Sequence, residues 1–234
     1  MFDPQKLLEQ FLGGGQPGGP RKDSKSGGMS PDFIKGLATG GVAGGLAGIL
    51  LGGKTSKKMA RGAVKLGGTA ALAGLAYKAY ESWRASQQPA AEPPAPMKDI
   101  TPKPEGTPFL PARQEERDDM SLAILRAMIA AAKADGHIDA QEHSRIFDKL
   151  DACDLDTEEK AFIIDELRKP LDIDAVVRAA TTPELAVEIY AASVLAIDPD
   201  DPAEQAYLAM LASRLGLEPG LRLAVEKEAA KTVA

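Results

Sequence analysis

Seven acidic side chains in two short runs are the residues best placed to do chemistry in this sequence. Asp135, Asp139 and Glu142 form the first run; Asp198, Asp200, Asp201 and Glu204 form the second. Carboxylates are hard oxygen donors, and several of them converging from tight turns suit Ca²⁺ or another hard divalent cation. The candidate metal ligands are Asp135, Asp139, Glu142, Asp198, Asp201 and Glu204. The spacing is not that of an EF-hand, because the twelve-residue loop with its terminal glutamate is missing. A metal-free role competes. Asp139, Glu142, Asp201 and Glu204 all stand where helix caps stand, and a cap needs no ion. His137 and His143 are six apart, one in a turn and one on a helix. They read as solvated polar residues rather than a zinc pair.

Enzyme chemistry finds less support. No nucleophile elbow or HExxH motif is present. Gly48 to Thr55 formally fits a P-loop string, but no strand precedes it and Ser-Lys-Lys follows where an apolar helix should begin. The single cysteine, Cys153, excludes an internal disulfide and a cysteine zinc site, and reads as a small hydrophobe or an idle thiol. No catalytic residue, resident cofactor or enzymatic activity is expected.

The acidic runs need helices to position them, and from Asp118 onward the chain is punctuated as a series of helices. A first helix is expected at about 118–134, with Leu122, Leu125, Met128, Ile129 and Ala132 on one face. A second starts at Asp139, a third after Asp156 or Thr157 and ends before Pro170, and a fourth opens at Asp172. Thr182 with Pro183 opens a fifth that runs to about Ile197. Asp201 with Pro202 opens a sixth that stops at Gly216, and a seventh follows Glu218-Pro219. No stretch alternates in the manner of a strand. Residues 132–142 and 195–204 repeat one arrangement: the end of an apolar helix, an acidic turn, then a capped helix carrying a glutamate.

At these residues the chain resembles the TerB-like superfamily, named for a tellurite-resistance protein. The resemblance is carried by Ala134-Asp-Gly-His-Ile-Asp-Ala-Gln-Glu142, by the later Ile-Asp-x-Asp-Asp-x-x-Glu run, and by Tyr207-Leu-x-x-Leu-Ala-x-x-Leu-Gly-Leu217. With the glycine-rich segment before it, nearly the whole chain is similar to a family of bacterial inner-membrane proteins of unknown function typified by YebE. The resemblance implies an all-α fold with a seven-helix bundle, membrane attachment and no established activity. It also implies an association with metal-ion stress and membrane complexes.

The N-terminal half is of a different kind. Residues 1–12 read as a short amphipathic helix, with Asp3 as N-cap, Pro4 in the first turn, Phe2 stapled to Leu7, and a stripe of Leu7, Leu8, Phe11 and Leu12. Being marginal alone, it needs a partner or an interface. Residues 13–32 read as flexible linker. Phe33 to Gly53 is apolar except for Lys35 and, as a helix, long enough for a hydrocarbon core of about 30 Å. Gly36, Gly40, Gly44, Gly48 and Gly52 recur at intervals of four on one face, a glycine zipper suited to close helix packing. A basic turn leads to a second apolar run, Leu66 to Tyr77, which is too short to span unaided but able to complete a hairpin. Tyr77, Tyr80 and Trp83 suit a headgroup boundary. The alternatives are a Gly-rich helical pair at or off the surface and a cleaved signal peptide. The proline-rich residues 85–117 read as a tether, and 118–234 as an acidic all-helical domain.

Charge divides the chain in the same way. Residues 33–84 hold eight Lys or Arg against Glu81 alone, whereas 119–234 hold 23 acids against 12 bases. Nucleic acid is disfavoured by the acidic half, and the basic apolar half suits anionic lipid. The expectation is a protein of the bacterial inner membrane, with the basic residues leaning toward a cytoplasmic C-terminal domain. Its expected role is a non-enzymatic interaction or stress-response module whose acidic domain binds a protein partner or a cation. The alternatives are a glycine-zipper hairpin that self-associates in the bilayer and a divalent-cation-binding regulator.

Overall fold

The computed structural model describes residues 2–12, 68–87, 104, 106–134, 155–197 and 201–233. Among them are eight α-helices and no strand: α1 (Pro4–Phe11), α2 (Gly68–Gln87), α3 (Gln114–Ala132), α4 (Thr157–Arg168), α5 (Ile173–Ala179), α6 (Pro183–Leu195), α7 (Pro202–Arg214) and α8 (Pro219–Val233). The all-α class follows directly.

Short polar side chains start most of these helices. Asp3 Oδ1 accepts from the amides of Gln5 and Lys6, each at 3.1 Å. Asp172 accepts from Ala175 N, and Thr182 from Leu185 N. Asp156 and Glu159 complete a reciprocal capping box at the head of α4. Each cap satisfies backbone donors that the first helical turn leaves orphaned. Pro4, Pro183 and Pro202 occupy first-turn positions where no amide is needed. At the end of α7, Gly216 takes φ +68°. Its amide returns to Ser213 O at 3.2 Å and the Leu217 amide to Ala212 O at 3.0 Å. That is a Schellman stop, and only glycine enters this conformation without cost.

α6 is the axis of the bundle. Ala186 through Ser193 and Leu195 are all buried, as expected for a helix enclosed on every side. Around it pack α3, α2, α8 and α7. α3 begins four residues before the expected Asp118 and is buried over far more than one stripe, from Met120 to Ala131, because α1 covers the side that α6 does not.

The packing corrects how the N-terminal half was read. Leu7, Leu8 and Phe11 of α1 are fully buried in the same core as the C-terminal helices. Burial of each such side chain contributes about 1.5–3 kcal/mol, which holds a two-turn helix that water alone would not. Phe2 lies on Phe162 with ring centroids 5.1 Å apart. From Gly68 onward the second apolar run belongs to α2, whose Leu72, Leu75, Ala76 and Ala79 face the core at helical spacing. Tyr77 and Tyr80 pack around Phe109, at 5.6 and 5.7 Å between centroids. Phe109 itself is buried. The aromatic cluster therefore lies against protein rather than at a headgroup boundary.

The membrane assignment is corrected with it. Among the described residues no helix is long and apolar enough to cross a membrane. α2 has 20 residues, sufficient in length, but Lys78, Glu81 and Arg84 interrupt its apolar run. The transmembrane and inner-membrane expectations are not retained. Phe33 to Gly53, with Gly36, Gly40, Gly44, Gly48 and Gly52, lies outside the described residues, as does the linker 13–32.

Candidate functional site

Of the six candidate metal ligands, Asp201 and Glu204 fall within the described residues; Asp135, Asp139, Glu142 and Asp198 lie outside them, as do His137, His143 and Cys153. Asp201 is the N-cap of α7, its Oδ1 accepting from Ala203 N at 2.8 Å and Glu204 N at 3.2 Å. Among the described residues, no group of three or more His, Cys, Asp or Glu is placed to hold a metal ion.

What the structure does assemble is a pair of docking seams, where α1 and α2 of the N-terminal half meet the acidic half. In the first, Gln5 Nε2 donates to Asp118 Oδ1 at 2.9 Å and Lys6 Nζ donates to Glu159 Oε1 at 3.3 Å. Glu159 is 1% exposed, and its other oxygen accepts from Asp156 N at 2.8 Å. One carboxylate thus closes the cap of α4 and receives the only lysine of α1. The Arg126 guanidinium stands 5.8 Å from the centroid of Phe162, opposite a ring that also carries Phe2.

The second seam repeats the chemistry. Lys78 of α2 meets Glu228 of α8 at 3.3 Å, and Gln87 Nε2 donates to Glu218 Oε2 at 3.2 Å. Burial works against charge on Glu228, but hydrogen bonds from Lys231 and Lys78 outweigh it and hold the carboxyl below its usual range. Trp83 lies over Gly220, where an added Cβ would come within 3.2 Å of Trp83 Cδ1. α8 can approach the indole because that position has no side chain.

The interior also holds polar groups that sequence reasoning missed. Glu188, on α6, is 1% exposed, and neither carboxyl oxygen has a hydrogen-bond partner among the described residues. Burial pushes its pKa well above the ordinary value, and Glu184 one turn back pushes it further. The group is therefore a neutral acid under conditions where other carboxyls ionise. The hydroxyls of Ser121 and Tyr207 are also buried without a partner among the described residues. Tyr190 is better served: its hydroxyl donates to Glu226 Oε1 at 2.7 Å, and Arg222 Nε donates to the same oxygen at 2.8 Å. Burial, then the Glu226 carboxylate, keeps this phenol protonated. Lys133 donates to Glu166 O at 3.2 Å and to Lys169 O, binding the end of α3 to the last carbonyls of α4. Burial lowers its pKa, which Glu166 partly opposes. The available signal for Glu188 was an acid in the otherwise apolar run Leu185 to Tyr190. Nothing local marked Glu159 as more than a cap.

Residues 36–229, well over half of the chain, match a family described as "Protein of unknown function (DUF533)". The chain belongs to the DUF533 family. That family is TerB-like, in keeping with the resemblance noted in the acidic runs. A relative from Yersinia enterocolitica, described as "Uncharacterized protein in ampR 5'region", is 29% identical over 105 residues, which cover 45% of this chain and 76% of the relative. No solved structure matches. The two seams of this DUF533 protein both fall within its acidic half and the helices docked on it.

Proposed function

We propose that this protein is a non-enzymatic interaction module whose acidic helical half recognises amphipathic, lysine-bearing helices. One observation carries the reading. Two helices far apart in sequence, α1 and α2, are held by the same device, an apolar stripe in the core and one lysine on a shielded glutamate, Glu159 or Glu228. Helix-in-groove recognition of this kind is a common mode of protein association. A surplus of acids over residues 119–234 attracts a helix of opposite charge and gives the module a sign preference. TerB-like membership supports a stress-response setting, and the order of parts supports the narrower likeness to YebE-type proteins.

A partner contacts apolar side chains left open to solvent. Met210 on α7 and Leu223 on α8 are 47% and 64% exposed. A photo-crosslinking residue at either position, in the intact protein inside its own cells, is expected to give discrete protein adducts. The same residue at the buried Val225 is expected to give none. Absence of any discrete adduct from either exposed position removes the reading.

A further inference from the structure

What holds α1 in place does not depend on which molecule supplies it. α1 has eight residues, too few to persist as a helix in water without a docking surface. Its contacts with the bundle are non-covalent: Leu7, Leu8 and Phe11 in the core, Phe2 on Phe162, Gln5 on Asp118 and Lys6 on Glu159. The covalent route runs through residues 13–67, 55 residues that reach at most about 200 Å when extended. α1 itself is about 12 Å long.

We infer that α1 is an exchangeable arm: the site it fills on α3, rimmed by Asp118, Glu159 and Phe162, also receives the α1 of a second copy of this chain, so that two chains interlock reciprocally. This rests on the reading of the acidic half as a helix-recognition module and adds one specific occupant. A second copy is the occupant that reproduces every contact, because the closed chain and the interlocked pair contain identical interfaces. Exchange of an identical element is a low-cost route to a dimer for that reason. Seating its own arm is an intramolecular event that does not depend on the concentration of the chain, whereas seating a second copy's arm does. Chains therefore stay closed in dilute solution and interlock when copies are crowded together.

Two full-length variants test this by complementation. In Leu8→Asp the arm cannot seat and the site is open; in Phe162→Asp the arm is intact and its own site is spoiled. Each alone is expected to sediment as a monomer, and their mixture to form a one-to-one heterodimer seen by native mass spectrometry. Adding Lys6→Glu to the Phe162→Asp chain is expected to weaken the pair at least tenfold. No heterodimer, or one indifferent to Lys6→Glu, overturns the proposal. A second measurement uses the wild-type core. A protease site is inserted between Gly14 and Gly15, the chain is cut, and fluorescein-labelled peptide 1–12 is added in excess. One labelled peptide taken up per chain supports exchange; no uptake, or unfolding on cutting, overturns it. Failure of exchange leaves the crosslinks from Met210 and Leu223 standing, so the two readings fall separately.

Discussion

Two glutamates in this bundle are equally hidden and are solved in opposite ways. Glu159, at the head of α4, is 1% exposed and engages the Asp156 amide and Lys6. Glu188, in the middle of α6, is also 1% exposed and has neither a donor nor a cation among the described residues. The difference follows from position. A helix N-terminus supplies unpaired amides and a favourable dipole, so an anion can be buried there with its partners supplied by the backbone. The middle of a helix has already spent its amides on the i−4 carbonyls, so a carboxyl there is left to keep its proton. Burial alone therefore says little about charge; the supply of donors decides it.

Breaking the satisfied site carries the largest expected effect. Glu159→Leu removes both a capping-box partner and the anion for Lys6, and is expected to lower stability by about 2–3 kcal/mol in urea unfolding. Relieving the unsatisfied site works in the other direction. Glu188→Met is expected to raise stability by about 1–3 kcal/mol at pH 8. This gain depends on pH with a definite sign. The folded chain keeps the Glu188 proton, whereas the unfolded chain loses it near the ordinary glutamate value of 4.5. Stability therefore falls as pH rises from there toward the raised folded value, by up to about 1.4 kcal/mol per unit. Urea titrations of wild type and Glu188→Gln at several pH values should diverge as pH rises, and parallel curves would refute the neutral acid. Tyr190→Phe removes one donor from Glu226, which keeps Arg222, and is expected to cost about 1 kcal/mol. Lys6→Gln is the mildest change. Lys6 is half exposed, so its loss should cost under about 1 kcal/mol and shrink further in high salt, measured by thermal unfolding.

The helix starts were legible in the sequence because a cap is a local event. Asp3, Asp156, Asp172, Thr182 and Asp201 each bond amides two or three residues away, and that geometry travels with the residues themselves. Glu188 was half legible, as an acid among apolar neighbours. The seams were not legible at all. Gln5 meets Asp118 across 113 positions and Lys6 meets Glu159 across 153, and no spacing rule extends so far.

The second apolar run shows the same limit from the other side. Leu72, Leu75, Ala76, Ala79 and Trp83 make a stripe that suits a bilayer surface or a protein core equally well, since both reward removal of the same side chains from water. By itself, then, the sequence determined an all-helical chain, where most of its helices begin, and a charge division between its halves. Only the tertiary structure decided which face each stripe meets. It placed α1 and α2 in the core of the acidic half and separated a paired glutamate from a protonated one. The physical reason is that caps and periodicity are properties of neighbouring residues, whereas burial and its partners depend on what the rest of the chain brings alongside.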